Sequence, residues 1–124
     1  MERTALARIG LGWLLFTMTA FAQTPANETV ATFWPKFQSA VVKGDTEAIV
    51  GMTKLPFLLD NKNLDRAKFT KVVPELFDAK AKKCFATAKP VKDKDGFEIF
   101  CGEQMYVFER VGTALKFTVI GAND

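Results

Sequence analysis

Cys84 and Cys101 are the two cysteines of this chain, and together they could form a metal site, a redox pair or a disulfide. A structural zinc site needs four ligands, and the chain has no histidine to complete one. The two cysteines are too far apart for the Cys-x-x-Cys motif of thioredoxin-type pairs. In an exported protein, two cysteines favour a disulfide, which here closes a loop of about 17 residues and contributes about 3 kcal/mol. The alternative is two small buried residues whose Cα atoms lie too far apart to bridge.

Most other catalytic chemistries lack their residues in this sequence. Without histidine, the commonest general base and most transition-metal sites are missing, and Ser39 has no partner for a serine triad. No glycine-rich phosphate loop is present, and we expect no cofactor and no metal. Carboxylates and one tyrosine remain: Asp60, Glu98, Glu103, Glu109 and Tyr106. A carboxylate that faces an apolar pocket could act as a base, whereas one on a half-exposed strand is ordinary surface.

The first 22 residues have the three parts of a secretory signal peptide. Arg3 and Arg8 precede an uncharged apolar stretch, and Ala20-Phe21-Ala22 places small residues where a signal peptidase cleaves. The uncharged stretch is about 14 residues long, shorter than the roughly 20 of a spanning helix. We therefore predict cleavage before Gln23, export to the periplasm or the extracellular space, and no membrane span after cleavage. Residues 23–31 are predicted to be a disordered lead.

The charge of the mature chain argues against a nucleic-acid partner. Without Arg3, Arg8 and Glu2, the 17 basic and 14 acidic residues fall to 15 and 13, a net charge of +2. Six lysines between residues 79 and 95 could bind an anionic polymer or lipid headgroups. They could equally be a solvated helix face, since no aromatic side chains alternate with them.

The first half of the mature chain has a helical pattern. Apolar residues recur every three or four positions at Phe33, Trp34, Phe37, Ala40 and Val41. Pro35 belongs in a first turn, so Thr32 is the predicted N-cap, and Gly44 and Asp45 end this helix and begin a short second one.

An apolar strand or extended segment is predicted at residues 55–59, followed by a polar turn at residues 60–63. Asp65 caps a further helical region, in which Pro74 predicts a kink or a division into two helices. Its apolar stripe continues through Cys84 to Ala88, which places Cys84 on the inward face.

The last third of the chain changes to strand-like patterns. "GFEIFC", "EQMYVFERV" and "ALKFTVIG" are rich in aromatic and β-branched residues and are separated by glycine-containing turns, which predicts an antiparallel meander. Alternation places Tyr106, Phe108 and Arg110 on one face and Met105, Val107, Glu109 and Val111 on the other. Both faces carry apolar residues, so the pattern does not indicate which is covered. The prediction is an α+β fold, with N-terminal helices packed on a curved antiparallel sheet.

Several aromatic residues could line a ligand pocket or could simply form the core. As a candidate pocket lining we select Trp34, Phe37, Phe69, Phe77, Tyr106, Phe108 and Phe117.

The segments "FWPKFQSAVVKGDTEAIVGM", "LPF", "DRAKFTKVVPELF" and "MYVFERVGTALKFTVIG" resemble the nuclear transport factor 2-like superfamily, the cystatin-like α+β cone. The resemblance covers about residues 32–120, and the domain is predicted to span residues 32–121. It implies helices around a curved sheet, often with a pocket and often with dimerisation through the sheet. The superfamily includes isomerases and cyclases, but none of their catalytic motifs matches this chain.

These observations predict an exported, non-enzymatic domain that binds a small apolar ligand or an envelope protein through a cone pocket or a sheet face. One alternative is an isomerase- or cyclase-type enzyme that uses a pocket carboxylate and Tyr106. The other is a structural module that forms a homodimer through its sheet. A filled interior with an exposed apolar sheet face would favour this last module, a structural or interaction module that dimerises through its sheet.

Overall fold

Helices come first and strands predominate at the end of the chain in the structure, a computed structural model that describes residues 26–122. The helices are α1 (Val30–Lys43), α2 (Thr46–Gly51), α3 (Arg66–Leu76) and α4 (Ala79–Thr87). The strands are β1 (Phe57–Leu59), β2 (Lys62–Leu64), β3 (Val91–Asp93), β4 (Gly96–Cys101), β5 (Gln104–Val111) and β6 (Ala114–Ala122). This order confirms the predicted α+β class. The predicted signal peptide lies outside the described residues, and no helix between residues 26 and 122 is long and apolar enough to cross a membrane.

α1 begins three residues earlier than predicted. Thr29, not Thr32, is the N-cap, and its side chain accepts a hydrogen bond from the Thr32 amide. Pro35 therefore lies inside the helix rather than at its start. The preceding backbone is also fixed, because the Glu28 amide donates to the Thr113 carbonyl and the Glu28 carboxylate accepts from the Leu115 amide. Residues 28–31 thus belong to the folded domain and not to a disordered lead, while residues 23–25 lie outside the described part.

The predicted helix boundaries at the other caps are confirmed. Gly44 ends α1 in the left-handed conformation at φ 71°, which glycine adopts without a steric penalty. Asp45 and Asp65 accept hydrogen bonds from the backbone at the starts of α2 and α3. α3 continues two residues past Pro74, and α4 starts separately after its own cap, Asp78. The division into two helices is therefore present, but it lies at residues 77–78 rather than at the proline.

The apolar segment after α2 forms a hairpin, of which only the first strand was predicted. β1 and β2 pair in antiparallel register, Phe57 with Leu64 and Leu59 with Lys62. The two residues between them, Asp60 and Asn61, both have positive φ, which is the conformation of a tight two-residue hairpin turn. β2 is polar and three residues long, so its sequence carries no strand-like alternation.

The main sheet has four antiparallel strands in the order β3-β4-β5-β6. The meander of β4, β5 and β6 is as predicted, and the short exposed edge strand β3 was not. A bulge interrupts the β5–β6 register between Val107 and Phe108. On the other edge of β6, Phe117 forms backbone hydrogen bonds with Met52 and Lys54, so the chain after α2 covers part of that edge.

One face of this sheet is buried under the helices. Its side chains are Phe97, Ile99, Tyr106, Phe108, Leu115 and Phe117, each at most 2% exposed. They pack against Phe33, Trp34 and Phe37 of α1, Phe77 after α3 and Phe85 of α4. The opposite face of the sheet, which we call the outer face, carries the alternate residues of the same strands.

A disulfide joins Cys84 of α4 to Cys101 at the end of β4, as predicted, with Cα atoms 5.9 Å apart. It links the helical layer to the sheet. We expect the double substitution Cys84→Ala, Cys101→Ala to lower the free energy of unfolding by about 3 kcal/mol, because the unfolded chain loses its cross-link. Urea denaturation of the oxidised wild type and the variant measures the difference. Equal midpoints for the two proteins would contradict the expected contribution.

Gly96, at the start of β4, is required by close backbone packing. A Cβ atom at this position would collide with the backbone carbonyl of Phe108 on β5. We therefore expect Gly96→Ala to lower the free energy of unfolding by about 3 kcal/mol, since backbone in a paired strand moves only at high cost.

Gly51→Ala is the matched control, because nothing lies within 4 Å of a Cβ at Gly51, in the last turn of α2. There alanine is expected to be neutral or to stabilise by about 0.5 kcal/mol. Urea denaturation curves give the free energy of unfolding of each variant. Similar values for Gly96→Ala and Gly51→Ala would contradict the predicted collision between a Cβ at position 96 and the Phe108 carbonyl.

Candidate functional site

The predicted pocket-lining residues come together, but as a packed core. Trp34, the most exposed of the seven, is 8% exposed, and the ring of Phe37 contacts those of Phe77, Phe108 and Phe117 at centroid distances of 4.9–5.9 Å. Such edge-on and tilted contacts fill the space between the rings. Ligand binding by this group stays a prediction, and it would require the rings to separate.

Two open clefts lie elsewhere on the surface. One, of about 590 Å³, is lined by Trp34, Gln38 and residues 86–90. The other, of about 560 Å³, lies beside the start of α1 and is lined by residues 29–31, residues 92–96 and Arg110. Trp34 is the only predicted pocket residue that contributes to either cleft, so neither leads into the core.

The phenol hydroxyl of Tyr106 is not free, because it forms hydrogen bonds within the fold. Its hydroxyl lies 3.1 Å from the Leu76 carbonyl, to which it donates at the last turn of α3, and 3.3 Å from Oε1 of Gln104. The last carbonyls of a helix have no partner within the helix, so this bond satisfies one of them. Burial raises the pKa of Tyr106 to about 12, and the charge of Asp78 contributes. At neutral pH the phenol is therefore protonated and serves the packing of α3 on the sheet.

The four candidate carboxylates do not face the core. Asp60 and Glu103 are exposed in turns, and Glu98 and Glu109 lie on the outer face of the sheet. Apart from the aromatic residues Trp34 and Tyr106, Thr53 is the only buried side chain with a polar group within residues 26–122, and its hydroxyl donates to the Ile49 carbonyl at 2.7 Å. None of the four candidate carboxylates lines either of the two clefts.

The outer face of the sheet is unusual because it exposes large apolar side chains. Nine of the ten phenylalanines in the described part are buried, and the tenth, Phe100, is 38% exposed on this face. Val91, Val111 and Val119 share the face at 38–48% exposure, with Met105 and Val107 half-buried among them. No described helix packs on these residues. Phe100, Met105 and Val107 adjoin one another, with Val119 beside Val107, whereas Val111 lies beyond Glu109 and Lys116. Contiguous exposed apolar side chains mark interaction sites in soluble proteins.

Sequence reasoning named a sheet face as a possible binding surface but did not identify which face, although the signal for it was present. A disulfide to the inward face of α4 requires Cys101 to point toward the helices. Strand alternation then places Phe100 and Glu98 on the opposite face.

Glu98 lies within this apolar surface, directly between Val91 of β3 and Val107 of β5. Burial raises the pKa of Glu98 above its usual value of 4.5, and Asp93 raises it further through charge repulsion and a hydrogen bond between the two carboxyls. Glu109, opposite Lys116, is its diagonal neighbour on β5. The outer face therefore combines an apolar surface with one carboxylate, that of Glu98, which binds a proton more readily than a free glutamate.

No family model matches this chain, and comparisons with curated proteins and with solved structures find no similar protein. The resemblance to the nuclear transport factor 2-like superfamily therefore stays a prediction.

We expect the substitution Glu98→Gln to make the protein more stable than wild type at pH 7 and equally stable at pH 4. Because the pKa is raised in the folded state, that state binds the proton more tightly than the unfolded chain. The free energy of unfolding of wild type therefore falls as the pH rises through and above 4.5. The variant has no carboxyl group at position 98, so its free energy of unfolding does not fall for this reason.

Urea denaturation at pH 4, 5, 6 and 7 measures the effect, and Glu109→Gln on the same face is the control. If the difference between wild type and Glu98→Gln does not change with pH, the electrostatic account of Glu98 is wrong.

Proposed function

We propose that this protein is an exported, non-enzymatic interaction domain that binds an envelope protein through the outer face of its sheet. The observation that carries this proposal is the pairing of a filled core with an exposed apolar sheet face. Phe100 and Val119 lie on that face at 38% and 44% exposure, while the phenylalanines on the helix-covered side are buried. Covering such a face removes apolar surface from water, which stabilises a complex by roughly 25 cal/mol for each Å² buried.

Export is supported by the sequence of residues 1–22 and by the Cys84–Cys101 disulfide, which is typical of proteins that fold in an oxidising compartment. The enzyme and small-ligand alternatives lack comparable support, and homodimerisation through the sheet is the alternative that would use the same face. An enzyme would need a carboxylate beside an enclosed cavity, and Glu98 lies on the open side of the sheet. A small-ligand carrier would need space among rings that are in contact.

A photo-crosslinking amino acid at position 119, introduced into the full chain in the cells that export it, tests the proposal. We expect irradiation to give discrete higher-mass adducts, because Val119 lies on the outer face. The matched control is position 42 on α1, since Val42 is also 44% exposed but lies on the helical side. Adducts from position 119 and none from position 42 are expected. Equal adducts at both positions, or none at either, would sink the proposal.

A further inference from the structure

We infer that the cleft lined by Trp34, Gln38 and residues 86–90, which we call the Trp34 cleft, binds an N-acylated amino acid by its carboxylate. Such a ligand is either a small molecule or the C-terminal residue of a peptide, since the two share this chemistry. The cleft lies beside α1 and the end of α4, and none of its lining residues belongs to the outer face of the sheet. The inference is therefore independent of the proposed function.

The indole N–H of Trp34 is a buried donor without an acceptor. Trp34 is only 8% exposed, and its side chain forms no hydrogen bond within residues 26–122. Its ring neighbours are Phe85, Phe97 and Phe108, whose side chains carry no acceptor atom. The Trp34 cleft is the open side from which an acceptor can approach. A buried tryptophan N–H normally has a partner, so this one indicates that a group from outside the fold supplies it.

The charge in the Trp34 cleft indicates that this group is an anion. Among the described residues that line the cleft, Lys89 is charged and none is acidic. The Lys89 ammonium forms no ion pair in the described part of the chain, and the Thr87 hydroxyl forms no hydrogen bond there. An N–H and an ammonium can each donate to one oxygen of a carboxylate, and hydrogen bonds to a charged group are the stronger ones. One positive charge also matches the single negative charge of a carboxylate.

Gln38 supplies an acceptor beside these donors. Its side-chain nitrogen donates to the Phe85 and Ala86 carbonyls at 2.8 and 3.3 Å, at the end of α4. These bonds fix the amide with its nitrogen toward α4, and Oε1 of Gln38 accepts no hydrogen bond within the described residues. A ligand N–H is the matching group. In an N-acylated amino acid, the amide N–H is one carbon away from the carboxylate, so one ligand can satisfy both ends of the site.

The rest of the Trp34 cleft is apolar and of suitable size. Ala86, Ala88 and Pro90 line it with side chains that have no polar atom. Its volume of about 590 Å³ lies within the usual range of small-molecule sites, in which apolar walls surround a few polar groups. An apolar side chain of the ligand can therefore lie against these three residues while its carboxylate and amide take the polar groups.

Trp34 itself provides the readout of binding. The chain has two tryptophans, and Trp13 belongs to the predicted signal peptide, so the exported protein is expected to give one indole signal in a proton–nitrogen correlation spectrum. We expect N-acetyl-leucine to move the indole proton downfield, with a dissociation constant of about 1 mM, because the ligand is small and the cleft open. N-acetyl-leucinamide has no negative charge and is expected to bind at least about ten-fold more weakly.

The tripeptide glycyl-glycyl-leucine distinguishes the two sources of the ligand. It carries the same carboxylate, amide and side chain at the end of a peptide. Binding that is clearly tighter than that of N-acetyl-leucine identifies a peptide C-terminus as the ligand. Equal or weaker binding identifies a small acylated amino acid.

A matched pair of lysine variants tests the site by calorimetric titration with N-acetyl-leucine. We expect Lys89→Gln to weaken binding about ten-fold, because the charge-assisted hydrogen bond is lost. Lys80→Gln is the control, since it makes the same change at an exposed position in the first turn of α4, outside the lining of the cleft. Both positions are exposed, so neither variant is expected to unfold the protein.

Three results would each overturn the inference. The first is an indole proton that does not move with N-acetyl-leucine up to about 20 mM. The second is equal binding of the acid and its amide, which would remove the carboxylate from the account. The third is equal affinity of Lys89→Gln and Lys80→Gln. The crosslinks from position 119 report on the outer face and decide the proposed function separately.

Discussion

The packing of α1 on the sheet through Phe37 is the contact on which the rest of the structure depends. Its ring meets Phe108 and Phe117 of the sheet and also Phe77 and Phe85 beneath the later helices. Phe37 is therefore in contact with rings of both layers, and Phe33, Phe77 and Phe85 add further ring contacts to the sheet around it. Because phenylalanine has no polar atom, this core makes no hydrogen-bond demands, and it is held by burial and ring geometry alone.

Because this interior is filled by apolar side chains, we expect a binding site on the surface. The polar groups that do enter it are used for packing: the Thr53 hydroxyl satisfies the Ile49 carbonyl, and the Tyr106 hydroxyl satisfies the Leu76 carbonyl. The four described helices cover one face of the four-stranded sheet and leave the other open. The outer face is consequently an apolar surface that these helices do not bury, which is the physical reason for placing binding there.

Much of the fold could be predicted from local patterns, and the differences have local causes. Gly44, Asp45 and Asp65 were recognised because a cap depends on one residue type and its neighbours. The start of α1 was misplaced because the usual position of proline in a first turn was applied to Pro35, whereas Thr29 provides the cap and carries the helix three residues further back. β2 and β3 are only three residues each, mostly exposed, so no hydrophobic alternation marks them. Both strands can be identified only from their pairing with β1 and β4 in the folded protein.

The candidate site was harder to predict, because apolar residues occupy both faces of the meander and periodicity alone does not distinguish them. The disulfide supplies the missing constraint. Cys84 belongs to the inward stripe of α4, so its bond to Cys101 orients the last residue of β4 toward the helices. Alternation then turns Ile99 and Phe97 inward and leaves Phe100 and Glu98 outward, and the register carries the same assignment across β5 and β6. One covalent bond, predictable from composition and compartment, thus determines which side of the sheet is core and which is available to a partner.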